Sequence, residues 1–177
     1  INNYMGIKML GKFIKLNCSE SISITHMESY RGCTVIIDIS IYLYKYKIQK
    51  SLLTNIYLMC SVFKHYNITP IFVFDGRAGI EKMDELEKRR EEKRTAKYEY
   101  YKIIENNNII NDTMKNYLVQ LEKKFMKITK QDILDVKILL DNYGVSYYQA
   151  EKEADELCAY LIHNNYGDII ISDDMDL

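Results

Sequence analysis

Four short apolar runs stand out along the chain, separated by longer amphipathic stretches. The runs are "CTVIID" (33–38), "PIFVFD" (70–75), "GVSYYQ" (144–149) and "DIIIS" (168–172). Rich in β-branched and aromatic residues, they alternate or run continuously as strands do. Between them the spacing is helical. Residues 41–66 carry Ile41, Tyr44, Ile48, Leu52, Ile56 and Met59 at three- and four-residue steps. Residues 130–142 carry Ile133, Val136, Leu139 and Leu140, and residues 153–163 carry Ala154, Leu157, Cys158 and Leu161. Thr129 with Asp132 reads as a helix start, Gly144 as a helix stop, and the acids of 153–156 as a first turn. Strands alternating with helices predict an α/β layered domain with a mainly parallel sheet. Residues 78–128 show no strand pattern and are expected to form a charged helical insertion between the second and third strands.

Composition narrows this picture only a little. A chain of 177 residues, 47% hydrophobic and 28% charged, suits one globular domain with a substantial core. No apolar stretch reaches the roughly 18–20 residues of a membrane span, and no secretory pattern opens the chain. Cys18, Cys33, Cys60 and Cys158 form no CxxC pair, and His26, His65 and His163 fit no zinc-binding spacing. They read as reduced thiols and isolated imidazoles in an intracellular protein. The net charge of −1 hides a gradient: +5 over residues 1–64, +3 over 65–130 and −9 over 131–177. A basic front with an acidic end suits a polyanion ligand beside a cation-requiring site, and it equally suits uneven solvated surface.

The acids sharpen the choice. Asp38, Asp75 and the pair Asp173/Asp174 each end an apolar run. In an open parallel sheet such ends face the ligand crevice. One strand-terminal Asp is usually a turn or a cap; three on one edge repel unless cations lie between them. Glu153 and Asp155 open a helix and can add two more carboxylates. Hard oxygen donors without His or Cys select Mg²⁺ or Mn²⁺, and a cluster this large suggests two ions about 3.5–4 Å apart acting on a phosphodiester. Separate caps and turns remain the alternative on spacing alone.

Six segments, in order, resemble the flap endonuclease family, the XPG/Rad2-like structure-specific 5′ nucleases. They are "MGIKMLGKFI" (5–14), "VIIDISIYLYKY" (35–46), "ITPIFVFDGR" (68–77), "KITKQDILDVKILLDNYGVSY" (127–147), "EKEADELCAYL" (151–161) and "IISDDMD" (170–176). The resemblance implies a PIN-like three-layer α/β nuclease core, with a mainly parallel twisted sheet, helices on both faces and residues 78–128 as a helical arch. It implies metal ligation, direct or through water, by Asp38, Asp75, Glu153, Asp155, Asp174 and Asp176, with two Mg²⁺ ions that Mn²⁺ can replace. It places Lys82 and Arg89 beside the scissile phosphate, Tyr44 stacked on a base and Gly6 close to the nucleic acid. The spacing itself leaves Arg89 open to a surface pair with Glu85, and Tyr44 to the apolar stripe of its helix.

The activity implied is hydrolysis of DNA with 5′ flaps in replication or repair. The alternatives are a 5′→3′ exonuclease, a junction or bubble cutter, and a non-catalytic nucleic-acid-binding or scaffold protein. A sliding clamp is an implied partner, and the implied compartment is the nucleus, or a cytoplasmic replication site for a virus. Residues 1–4 read as extra sequence before Met5, and Leu177 falls inside a motif, so the chain is expected to be part of a longer protein.

Overall fold

The computed structural model of the protein describes residues 9–77, 83–106 and 111–173, with residues 83–86 described by backbone alone. Its strands are β1 (Thr34–Asp38), β2 (Thr69–Phe74), β3 (Ser146–Gln149) and β4 (Ile169–Ile171). They form one sheet in the order β3-β2-β1-β4, and every neighbouring pair is parallel. All four predicted strands are present, with ends shifted by a residue or two.

Alternation along the two central strands builds the layers. Val35, Ile37, Phe72 and Phe74 face one side, against α2 (Ser40–Ile48), α3 (Leu52–His65) and α6 (Lys130–Tyr143) through Leu43, Ile56, Phe63, Val136 and Leu140. Ile36 and Val73 face the other, against α7 (Ala154–His163) through Ala154, Cys158 and Leu161. Burial on both faces explains why the strands read as continuous apolar runs. The result is a three-layer α/β core.

Residues 41–66 form two helices, a correction to the single periodic stretch. α2 and α3 are separated by Gln49–Ser51, where Lys50 takes a left-handed φ of 56°. One unbroken helix of that length would extend about 39 Å, far beyond the edge of a five-residue strand at about 17 Å. The break keeps both helices over the sheet. It also resets the buried face of α2 to Tyr42 and Leu43, leaving Tyr44 42% exposed.

Where it is described, the insertion after β2 consists of two helices and a short extended link, residues 126–128, that leads to α6. α4 (Met83–Asn106) and α5 (Asp112–Phe125) pack on each other, burying Ala96, Leu118 and Leu121 and bringing the Tyr100 and Phe125 rings to 5.3 Å. α6 begins with the predicted capping box between Thr129 and Asp132 and stops at Gly144, whose φ of 72° is left-handed. An amphipathic helix that the strand-and-helix reading passes over, α1 (Leu10–Asn17), precedes β1 and buries none of its residues.

Candidate active site at the carboxyl edge of the sheet

The chain steps from β1 to β2 to β3 in one direction and then returns across β1 to place β4. The direction of winding therefore reverses between β1 and β4, and a crevice opens at the carboxyl ends of those strands. Asp38 closes β1 at that point. It pairs in register with Val73 and lies on the α7 face by alternation from Ile36. Only 6% exposed, it is the one buried charged residue among those described. Its Oδ1 accepts the Ser40 backbone N–H at 2.9 Å. Burial pushes the Asp38 carboxyl above the ordinary aspartate range; the Ser40 N–H opposes this, and the charges of Asp75 and Asp155 add to it.

Asp75 follows β2 and reaches the same helix. Its Oδ1 accepts the Ala154 N–H at 2.9 Å, and its Oδ2 accepts the Ser40 hydroxyl at 2.5 Å. Glu153 occupies the N-cap position of α7 but makes no side-chain cap bond. Asp75 caps the helix in its place, from another strand, with a carboxylate where the dipole favours one. Gly76 makes the approach possible. Its N–H donates to the Lys152 carbonyl at 2.5 Å, and Arg77 N–H donates to Glu151 at 3.1 Å. A Cβ at position 76 would run into the carbonyls of Ala150 and Glu151. The Asp-Gly pair is thus stitched to the loop that delivers Glu153.

Asp155 lies one residue into α7, and its charge acts on Asp38. Cys158, fully buried one turn further, registers all three acids. Burial pushes its thiol up, Asp38, Asp155 and Asp75 push it further, and it reaches about 12. Asp38, Asp75 and Asp155 therefore form one electrostatic cluster at the start of α7, with Glu153 beside it. Among the described residues, no three His, Cys, Asp or Glu side chains are arranged to hold a metal ion by themselves. Two expected ligands, Asp174 and Asp176, lie outside the described residues, as do Lys82 and Gly6. The donor set present is all carboxylate, and its mutual repulsion is of the kind a hard divalent cation relieves.

Asp173, the third acid expected on this edge, has a different partner. It accepts from Lys45 Nζ at 3.0 Å and from the Tyr42 hydroxyl at 3.5 Å, both on α2. Ile169 and Ile171 pack into the α2–α3–α6 side, and position 173 shares their parity. Of the three strand ends, those of β1 and β2 supply acids to the α7 cluster, while Asp173 pairs across to α2.

A second group lies on the insertion. Arg89 and Lys93, one turn apart on α4, share a face of the helix. Burial lowers the Lys93 ammonium, and the positive charges of Arg89 and Lys127 lower it further. Lys93 Nζ stands 5.7 Å over the ring of Tyr44, which projects from α2 just beyond Asp38. The structure thus joins Arg89 and Tyr44 through Lys93, with Lys127 close by. The i, i+4 spacing from Arg89 signals Lys93; nothing local signals Lys127, 34 positions further on.

A three-layer parallel core with acids gathered at its carboxyl edge and a helical insertion after the second strand has the architecture of PIN-like nuclease cores. The chain superposes on the catalytic core of Rad2 in complex with DNA substrate with a TM-score of 0.62 at 24% identity, over 93% of this chain and 44% of that one. It superposes on flap endonuclease-1 from Methanococcus jannaschii with a TM-score of 0.57 at 22% identity, over 87% of this chain and 52% of that one. Residues 5–96 match the XPG N-terminal domain and residues 144–177 the XPG I-region, so the chain belongs to the XPG family. It is 33% identical to flap endonuclease 1 of Theileria parva over 189 aligned residues, covering 97% of this chain and 37% of that protein. The chain spans about half or less of the length of the curated relatives it matches.

Proposed function

We propose that the protein is a structure-specific 5′ nuclease that hydrolyses DNA phosphodiester bonds at flaps with the help of divalent cations. The observation that carries this is the acid cluster at the start of α7. Asp38, buried and raised in pKa, shares that site with Asp75 and Asp155. A module that only binds a polyanion gains nothing from buried negative charge facing it. Asp38, Asp75, Glu153, Asp155, Asp174 and Asp176 would hold the ions. Bound by these carboxylates, a pair of Mg²⁺ ions would activate the attacking water and offset charge on the leaving oxygen. The protein's own groups orient and neutralise. The Ser40 backbone N–H fixes Asp38 and its hydroxyl fixes Asp75, while Lys82 and Arg89 offset charge developing on the phosphate. Lys93 and Lys127 extend that cationic surface, Tyr44 stacks on a base, and Gly6 lies along the strand. Residues 78–128 act as an arch over the site. A sliding clamp would be a partner protein.

Mn²⁺ titration followed by calorimetry tests the cation reading. Wild-type protein binds, and Asp38→Asn loses binding at one position at least. Equal binding by the two proteins would overturn the assignment.

A further inference from the structure

The Asp75–Gly76 turn is held from a side unconnected with the acids. The ladder between β2 and β3 ends at the Phe74–Gln149 pair, where Ala150 N–H still donates to the Phe74 carbonyl. The next carbonyl, that of Asp75, has passed the end of the ladder. The Gln149 side chain takes the missing place, its Nε2 donating to the Asp75 carbonyl and, at 3.4 Å, to that of Phe74. An amide can face either way. Here Gln149 Oε1 accepts from Lys137 Nζ at 2.7 Å, and an ammonium only donates. A carbonyl only accepts, so the Nε2 end must meet Asp75, and Lys137 holds the amide in that orientation from its other end. The lysine is held in turn by two rings, lying 4.9 Å over Phe74 and 5.3 Å over Tyr147.

We propose that Lys137 and Gln149 are positioning residues that lock the Asp75–Gly76 turn against the α7 start and so set the geometry of the acid cluster. This rests on the cation-binding reading of that cluster. Neither residue contacts the ions or the nucleic acid in this role. They fix the backbone from which Asp75 reaches Ala154 N–H, with Gly76 and Arg77 bound to the same loop.

The test is amide hydrogen exchange in EDTA, paired with Mn²⁺ titration, on wild type, Gln149→Leu, Lys137→Met and Lys137→Arg. Gln149→Leu alters an exposed residue, and Lys137→Met keeps an apolar stem on the two rings. In both, protection of Gly76, Arg77 and Ala154 amides is expected to fall about tenfold while α3 amides keep theirs. Mn²⁺ affinity should fall by about 10–100-fold, the usual cost of losing a group that orients a ligand. Lys137→Arg, which still only donates, should retain wild-type values for both. Unchanged protection and affinity in Gln149→Leu would overturn the role. So would protection falling equally in α3, or an arginine variant as impaired as the methionine one. A wild type that binds no Mn²⁺ would overturn the cation reading and this role with it; a binding wild type matched by its variants would overturn this role alone.

Discussion

Besides accepting the Ser40 hydroxyl, the Asp75 carboxylate serves as a cap and as a charge, and a pair of substitutions separates these two. As a cap, it accepts the N–H of Ala154, a residue with no exposed surface. As a charge, it repels Asp38 and sits at the positive end of α7. Asp75→Ala removes both functions and leaves a helix-terminal N–H without its acceptor. Losing such a cap costs about 0.5–2 kcal/mol, and because Asp75 itself is open to solvent the middle of that range applies. Asp75→Asn keeps an oxygen for Ala154, removes the charge and puts an amide NH2 where the Ser40 hydroxyl had its acceptor. That change costs about 0.3–1 kcal/mol through the helix dipole and returns part of it by relieving Asp38. The alanine variant should therefore be the less stable by about 1 kcal/mol. For a chain of this size that corresponds to about 2–4 °C in Tm. Thermal unfolding in EDTA, followed by far-UV circular dichroism, reads the difference. Both variants should lose Mn²⁺ binding, since neither carries the charge. Equal midpoints, or alanine above asparagine, would refute the cap; undiminished Mn²⁺ binding by either would refute ligation.

Three further outcomes follow from named contacts. Gly76→Ala places a methyl against the backbone of Ala150 and Glu151 and should destabilise the protein by about 1–3 kcal/mol in urea unfolding; no change would mean that the turn adapts freely. Asp38 has a raised carboxyl in the folded state, so the unfolded chain ionises first as pH rises. Metal-free stability should therefore fall from the ordinary aspartate range upward until Asp38 itself ionises, and Asp38→Asn should remove that part of the slope in pH-dependent unfolding. Cys60 and Cys158 are buried with thiols pushed up to about 11 and about 12, while Cys18 and Cys33 are partly exposed. A thiol reagent at pH 8 should label Cys18 and Cys33 first, and early labelling of Cys158 would contradict the packing beneath α7.

The edge strand β3, largely exposed, is legible in the sequence through its aromatic residues. By contrast, β1 and β2 are legible because central strands of a parallel sheet, buried on both faces, are unbroken apolar runs. For the same reason an acid closing such a run, as Asp38 and Asp75 do, stands out. Thr129, Asp132 and Gly144 are local signals, and the helix they bound is present. What the sequence conceals is non-local or conformational. The break at Gln49–Ser51 contains neither Gly nor Pro, and Lys50 simply adopts the left-handed region there. The capping of α7 joins positions 75 and 154, and no window along the chain contains both. Asp173 looks the same as Asp38 in sequence, yet its strand parity turns it to Lys45. Lys137 reads as one more surface cation until the rings of Phe74 and Tyr147 close beneath it.

If the acids at the start of α7 support metal-dependent cleavage, single-turnover hydrolysis of a duplex bearing a 5′ flap will show it. With Mg²⁺ the protein should cut near the junction, and EDTA should abolish the reaction. Arg89→Ala should slow it by about 10²–10³ while binding in Ca²⁺ changes little. Asp38→Asn should remove cleavage and leave flap binding intact. Cleavage by Asp38→Asn at the wild-type rate, or cleavage that persists in EDTA, would show that these acids do not serve metal-dependent hydrolysis.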